Sequence, residues 1–251
     1  MFTLVLVLLS FAALLAATPG VQRIIGGQDT PIEKVPWQVS FLHDGKHHCG
    51  GSIYNEFLII TAAHCIEQHI GKNFTIRAGS SKWNRGGVLV QVAAFKFHEK
   101  YTASRLAEYD VAVMRLANPL PIRGNIQPIP LAEEDPAEGS PALSSGWGAT
   151  YNDVWDMDQC KLSKPINLRG VNIRIENKRK CYLKASQLKQ NICAGVIGQS
   201  ICFADSGGPL VVDKKLVGIT SVTNNGCCLS PGIYASVAKF HSWILNALKE
   251  V

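Results

Sequence analysis

The sequence predicts an all-β fold, a sandwich or barrel, and three observations carry that expectation. Short runs rich in branched and aromatic residues recur at 37–42, 57–61, 74–77, 88–97, 111–116, 216–222 and 233–237. Gly, Pro, Asn and Asp punctuate them, and no helical period intervenes, which excludes the strand–helix alternation of a parallel sheet. Only the C-terminus changes period. There Val237, Phe240, Trp243, Ile244, Ala247 and Leu248 recur at spacings of three and four, the apolar face of a packing helix.

The elements fall into two strand-rich halves. Pro119, Pro121, Pro128, Pro130, Pro136 and Pro141 crowd the stretch between them, so a connector is expected near 119–140. With 251 residues, 47% hydrophobic and 18% charged, the chain has material for a large core. Its formal net charge of +6 is spread without blocks of like charge, so neither nucleic acid nor an anionic membrane is an expected partner.

Residues 4–17 are apolar or small apart from Ser10. This run of about 14 matches the hydrophobic stretch of a secretory signal and falls short of the roughly 20 needed to span a bilayer. Ala16 and Ala17 offer a cleavage point, so residues 1–17 are read as a signal peptide and the protein as secreted and extracellular; a buried N-terminal helix is the alternative. Eight cysteines suit an oxidising compartment.

Ser206 lies in Asp205-Ser206-Gly207-Gly208-Pro209, where flexible backbone can present a hydroxyl and its own N–H to a ligand. Alone this is any tight turn. Upstream stand Thr61-Ala62-Ala63-His64-Cys65 and an apolar run headed by Asp110, giving His, Asp and Ser in that order. A serine hydroxyl needs a base to become a nucleophile. Neutral His64 can take its proton, and Asp110 can hold the imidazole tautomer and stabilise the imidazolium that forms.

From Ile24 to the C-terminus the chain resembles the trypsin/chymotrypsin-type serine proteases, especially secreted insect-like members. The resemblance rests on Ile24-Ile25-Gly26-Gly27, Trp37-Gln38-Val39-Ser40, Cys49-Gly50-Gly51-Ser52-Ile53, the three segments above, Ser145-Gly146-Trp147-Gly148 and Pro231-Gly232-Ile233-Tyr234. It implies two six-stranded antiparallel β-barrels with the active site in the cleft between them and a C-terminal helix. It also implies an activation propeptide, residues 18–23. Cutting after Arg23 would free the Ile24 amine to pair with Asp205 and order the substrate pocket, in a peptidase domain spanning 24–251. Implied disulfides are Cys49 with Cys65, Cys181 with Cys193 and Cys202 with Cys227. Cys160 and Cys228 are left over, as a fourth bridge or as two thiols.

Two departures matter. By resemblance the base of the primary pocket is Ser200, where trypsin-like enzymes carry a carboxylate that attracts Arg or Lys, while Thr223 and Gly232 occupy the walls and Thr223 narrows the entrance. The expectation is cleavage after small or medium apolar residues, with a trypsin-like preference as the alternative. Ala204 stands where the family has glycine, and its N–H joins that of Ser206 in the oxyanion hole. If the backbone there takes φ > 0, a side chain costs about 1–2 kcal/mol, and loss of one oxyanion donor lowers turnover roughly 10²–10³-fold. With Val222 beside the cleft, where relatives commonly have Trp, Ala204 keeps open a non-catalytic homologue acting as a binding or regulatory protein.

His43, His47 and His48 flank an Asp44-Gly45 hairpin signal and are read as solvated turn residues, not a metal site. Residues 71–90, matching a calcium loop of some relatives, contain no Asp or Glu. No cofactor or metal is expected. Asn73-Phe74-Thr75 is a glycosylation sequon, and His241 is read as helix surface. Expected partners are protein or peptide substrates, an activating protease and proteinaceous inhibitors, with the enzyme a monomer.

Overall fold

The computed structural model describes residues 26–67, 69–71, 73–105, 107–151, 162–163, 165–223, 227 and 230–251. The expectations for the signal segment, Arg23, Ile24, Cys160 and Cys228 lie outside them. After the short edge strand β1 (Gln28–Asp29) come β2 (Gln38–His43), β3 (Lys46–Ile53), β4 (Leu58–Thr61), β5 (Phe74–Ala78), β6 (Val88–Phe97) and β7 (Ala112–Leu116). The last six close an antiparallel barrel in the order β2-β3-β4-β7-β6-β5. Asp44 (φ +49°) and Gly45 (φ +74°) form the two-residue turn between β2 and β3, whose left-handed backbone matches the twist of a tight hairpin. On β5 the side chains of Phe74, Ile76 and Ala78 alternate into the core, the period-two pattern of a half-buried strand.

Residues 117–140 lead to the second half. It contains β8 (Pro141–Gly146), a small ribbon of β9 (Thr150–Tyr151) and β10 (Leu162–Ser163), then β11 (Arg169–Glu176), β12 (Asn191–Ala194), β13 (Pro209–Val212), β14 (Lys215–Val222) and β15 (Gly232–Ser236). The order β11-β12-β15-β14-β13-β8, closed by β8 on β11, is a second six-stranded barrel, with β1 pairing outside on β11. Closure leaves the barrels without open edges.

Helices are few: single turns α1 (His64–Glu67) and α2 (Ala185–Leu188), then α3 (Val237–Glu250). Ser236 caps α3, its Oγ accepting from Lys239 N at 3.1 Å, and Val237, Phe240, Ile244, Ala247 and Leu248 bury its apolar face in a core cluster that joins the first barrel's interior to Val211, Leu216, Ile219 and Ala235 of the second. The C-terminal helix of the second barrel thus clamps the first.

Several strands were invisible to residue propensity. The strand β3 carries Cys49-Gly50-Gly51-Ser52, poor strand formers individually, and is held by ladders to β2 and β4. Its glycines are needed for contact rather than conformation. A Cβ on Gly51 would lie 2.9 Å from Ile59 Cγ2, and one on Gly50 would lie 2.9 Å from the Gly208 Cα of the other barrel.

Candidate active site

Chain order scatters the candidate residues, and the two barrels gather them. His64 begins α1 directly after β4, and Asp110 precedes β7, the strand paired with β4. The His64 Nδ1–H donates to Asp110 Oδ2 at 2.7 Å, and the His64 backbone N–H donates to Asp110 Oδ1 at 3.0 Å. A third donor, Ser221 Oγ on β14, reaches Asp110 Oδ2 at 2.5 Å from the second barrel. The reading of the sequence did not single out Ser221; it lies inside an ordinary strand run and only register turns it toward Asp110.

Electrostatics follow from these contacts. Burial alone would raise the Asp110 carboxyl, which is 1% exposed, but the charge and hydrogen bonds of His64 and the Ser221 hydroxyl outweigh it and hold the group below the usual range. Burial likewise opposes charging His64, yet Asp110 raises its pKa above that of a free imidazole. A base of raised pKa accepts a proton more readily and is neutral only on the alkaline side of 6.5.

Ser206 sits in the turn before β13. Its carbonyl accepts from Gly50 N at 2.7 Å, and Gly207 N donates to Thr220 O at 2.7 Å, so the turn is bonded to both barrels. Gly207 is required here. At φ +74°, a Cβ would stand 2.2 Å from Thr61 Oγ1 and 3.2 Å from Ala62 N, on the segment that leads into His64. That close approach brings the Ser206 turn against the histidine segment. Among the described residues, no hydrogen bond yet joins Ser206 Oγ to His64, whose Nε2 has Cys65 Sγ at 3.8 Å.

Ala204 adopts φ +72°, the left-handed conformation in which a side chain is strained, so the condition on which its cost depended is met. Its carbonyl accepts from His47 Nε2 at 2.9 Å, and His47 Nδ1 lies 2.8 Å from Ser40 Oγ. Among the described residues, neither the Ala204 N–H nor the Ser206 N–H has an intramolecular acceptor. Two backbone donors are therefore available to an incoming oxygen.

Asp205 is buried to the same 1% as Asp110 but, among the described residues, receives only two bonds, from Gly148 N at 2.8 Å and Cys202 N at 2.9 Å. Burial pushes its pKa up to about 7 against those bonds. A Cβ on Gly148 would lie 2.3 Å from the Asp205 carboxyl, which explains the Ser145-Gly146-Trp147-Gly148 motif as a cradle for this group. Ile24, its expected partner, lies outside the described residues.

Ser200 is fully buried and its Oγ has no hydrogen-bond partner among the described residues, while Thr223 is half-buried. At Gly232 a Cβ would meet Ile201 Cγ1 at 2.8 Å and Tyr234 Cε2 at 3.0 Å. Ile201 is thus an apolar neighbour of Gly232, the expected wall residue, that sequence reading passed over as part of the Ser200 segment. The bonds Cys49–Cys65, Cys181–Cys193 and Cys202–Cys227 are formed, the pairing the resemblance implies. They tie β3 to α1, the 178–181 turn to β12, and the Ser200 segment to the loop after β14.

The histidines around the first hairpin correct the expectation of solvated turn residues. His47 and His48 are half-buried on β3, and His48 Nε2 donates to Cys65 O at 3.1 Å; only Asp44 and Gly45 make the turn. The alternation of a pleated strand sends successive histidines to opposite faces. His241 is half-buried on α3 rather than fully exposed.

Comparison with known proteins agrees with this architecture. The trypsin family profile matches residues 24–244. Trypsin alpha-4 of Lucilia cuprina is 42% identical over 236 residues, covering 91% of this chain and 89% of that protein. Trypsin beta of Drosophila erecta is 42% identical over 231 residues, covering 89% and 88%. Neuropsin, a serine protease expressed in the limbic system of mouse brain, superimposes with a TM-score of 0.77 at 28% identity, over 88% of this chain and 98% of that one. With its two closed barrels and a match of this extent, the chain belongs to the trypsin family of serine proteases.

Proposed function

We propose that this serine endopeptidase of the trypsin family is secreted as a zymogen, is activated by cleavage after Arg23, and cuts peptide bonds through Ser206, His64 and Asp110. The bonded His64–Asp110 pair, with the Ser206 turn packed against the Thr61–Ala62 segment that leads into His64, carries the proposal. Ser206 Oγ attacks the scissile carbonyl while His64 takes its proton and Asp110 stabilises the imidazolium. The carbonyl oxygen becomes an oxyanion facing the Ala204 and Ser206 N–H groups. His64 then gives the proton to the leaving amine, and water, activated by the same imidazole, releases the acyl group from Ser206.

Activation has a physical driver in Asp205. An Ile24 ammonium freed by the cut would meet a buried carboxylate that lacks a cation among the described residues and let it ionise. No described helix is long and apolar enough to cross a membrane. Secretion is supported by the signal-like residues 1–17 and the three disulfides.

The relatives are named trypsins, a name that goes with cleavage after Arg or Lys. Here the expected pocket base is the neutral Ser200 and a neighbour of the expected wall residue Gly232 is Ile201, a lining that offers no countercharge for a buried cation among these described residues. Cleavage after small or medium apolar residues is therefore the preferred reading. The strained Ala204 favours one second reading, a non-catalytic homologue. Both are tested after cleavage at Arg23 by titration with a fluorophosphonate, followed by peptides differing only before the cut. Stoichiometric labelling of Ser206 supports the endopeptidase, and no labelling selects the homologue; fastest turnover after Arg would overturn the apolar preference.

A further inference from the structure

Three histidine rings meet on the first barrel, next to the candidate active site but not part of it. His43 ends β2, His48 lies on β3 and His69 follows α1. Their ring centroids are 4.5 Å (His43 to His69), 4.7 Å (His48 to His69) and 5.9 Å (His43 to His48) apart. Three imidazoles bound tetrahedrally to one ion at about 2.1 Å hold their ring centroids about 5 Å apart. The observed spacings bracket that value.

Several features mark the cluster as a built site. Phe74, 5.8 Å from His43, and Phe41, 5.9 Å from His48, wall it on the apolar side. The bond from His48 Nε2–H to the Cys65 carbonyl fixes its proton there and leaves the Nδ1 lone pair for a ligand, the outer-partner arrangement usual for metal-binding histidine. His43 Nε2 is buried without a hydrogen-bond partner among the described residues, with the Asp44 carboxylate 3.4 Å away. A buried ring nitrogen left unmatched is unfavourable until something takes its proton or its lone pair. Of the histidines singled out by sequence, His47 is committed to Ser40 and Ala204, and His69, twenty-one positions beyond His48 in the chain, takes its place.

We infer that His43, His48 and His69 form a site for a borderline divalent cation such as Zn²⁺, one residue removed from His64. Imidazole nitrogen is a donor such ions favour, whereas Ca²⁺ and Mg²⁺ seek oxygen. Among the described residues, the set whose donor atoms already lie within 4.8 Å of one another is Cys49, His64 and Cys65, but the disulfide leaves it one ligand. As placed, the ring nitrogens of the three histidines do not all lie within 4.8 Å of one another, so coordination requires His43 and His69 to turn about Cβ–Cγ, which exchanges ring carbon for nitrogen without moving the centroid. The carbonyl that anchors His48 belongs to Cys65, whose Sγ is 3.8 Å from His64 Nε2, so a bound dication would disfavour the imidazolium of His64 and slow its proton transfer.

The test is a calorimetric titration of the uncleaved chain with Zn²⁺, repeated with Co²⁺ to read the visible absorption of a nitrogen-ligated ion. We expect one site with a Kd of about 10 µM or tighter, weakened at least about tenfold by His43→Ala and by His69→Ala and unchanged by His241→Ala. Near-ultraviolet circular dichroism identifies a variant that fails to fold, in which case His69→Asn replaces His69→Ala. Binding absent up to about 1 mM, or equal binding by parent and both folded variants, overturns the site. Because the readout is binding to the uncleaved chain, it fails independently of the peptidase reading.

Discussion

Asp110 and Asp205 are buried to the same 1% and are shifted in opposite directions. Asp110 faces an imidazole that can become a cation and a hydroxyl that donates, and its pKa falls. Asp205 faces two backbone N–H groups, and burial carries it up to about 7. The lesson is that depth does not decide the state of a carboxylate; the charge available beside it does. It also divides the site. The His64–Asp110 half is hydrogen-bonded once the chain folds, whereas the half on the second barrel contains a carboxylate with no cation beside it among the described residues and an alanine held in a glycine's conformation.

The largest test of that division is Asp110→Asn. An amide accepts and donates, so it holds the geometry but favours the wrong His64 tautomer and cannot stabilise the imidazolium. Turnover by the cleaved enzyme should fall about 10⁴-fold with little change in KM. A fall of less than tenfold would show that the hydrogen-bonded half is not the working one.

Next in size is the pH dependence of the uncleaved chain. The Asp205 pKa is raised, so its folded form is at no disadvantage below the ordinary value of 3.8 and loses stability as pH climbs through the folded value of about 7. That interval of about three units corresponds to roughly 4 kcal/mol. His64, also raised, contributes stability that is fully present below 6.5 and is lost as pH rises through its folded pKa, and Asp110, lowered, contributes stability above 3.8 that is lost as pH falls through its depressed value. Urea unfolding of Asp205→Asn beside its parent isolates the first of these. The parent should lose stability relative to the variant between about pH 4 and 7; parallel curves would contradict the unpaired carboxylate.

Much of this was legible before any coordinates. Alternating branched residues located β6 without error, and the three-and-four spacing located α3, because both periods report burial directly. The strands β3 and β12 were not legible. Gly50, Gly51 and Asn191 carry no strand preference and are held there by neighbours that sequence does not reveal. His64, Asp110 and Ser206 stood out because their local motifs are distinctive. Ser221, Ile201 and His69 did not, since each acquires its role from what the other chain segments bring to it: a carboxylate, a glycine and two more imidazoles.

The smallest expected effect sharpens the second half of the comparison. In Ala204→Gly, relief of the left-handed strain favours the variant by about 1–2 kcal/mol. The freer unfolded glycine gives back about 0.4–1 kcal/mol, so the net gain lies between about 0 and 1.6 kcal/mol and the Tm rise is a few degrees at most. Turnover depends on where the N–H points. The alanine already holds φ +72°, His47 fixes its carbonyl, and no described group accepts its N–H, so the donor is in place in spite of the methyl group. Turnover should therefore rise by less than about tenfold, well short of the roughly 10²–10³ that a missing oxyanion donor is worth. An increase of a hundredfold would mean that alanine turns the peptide away, and Ala204 would then be the residue that sets this chain apart from a working protease.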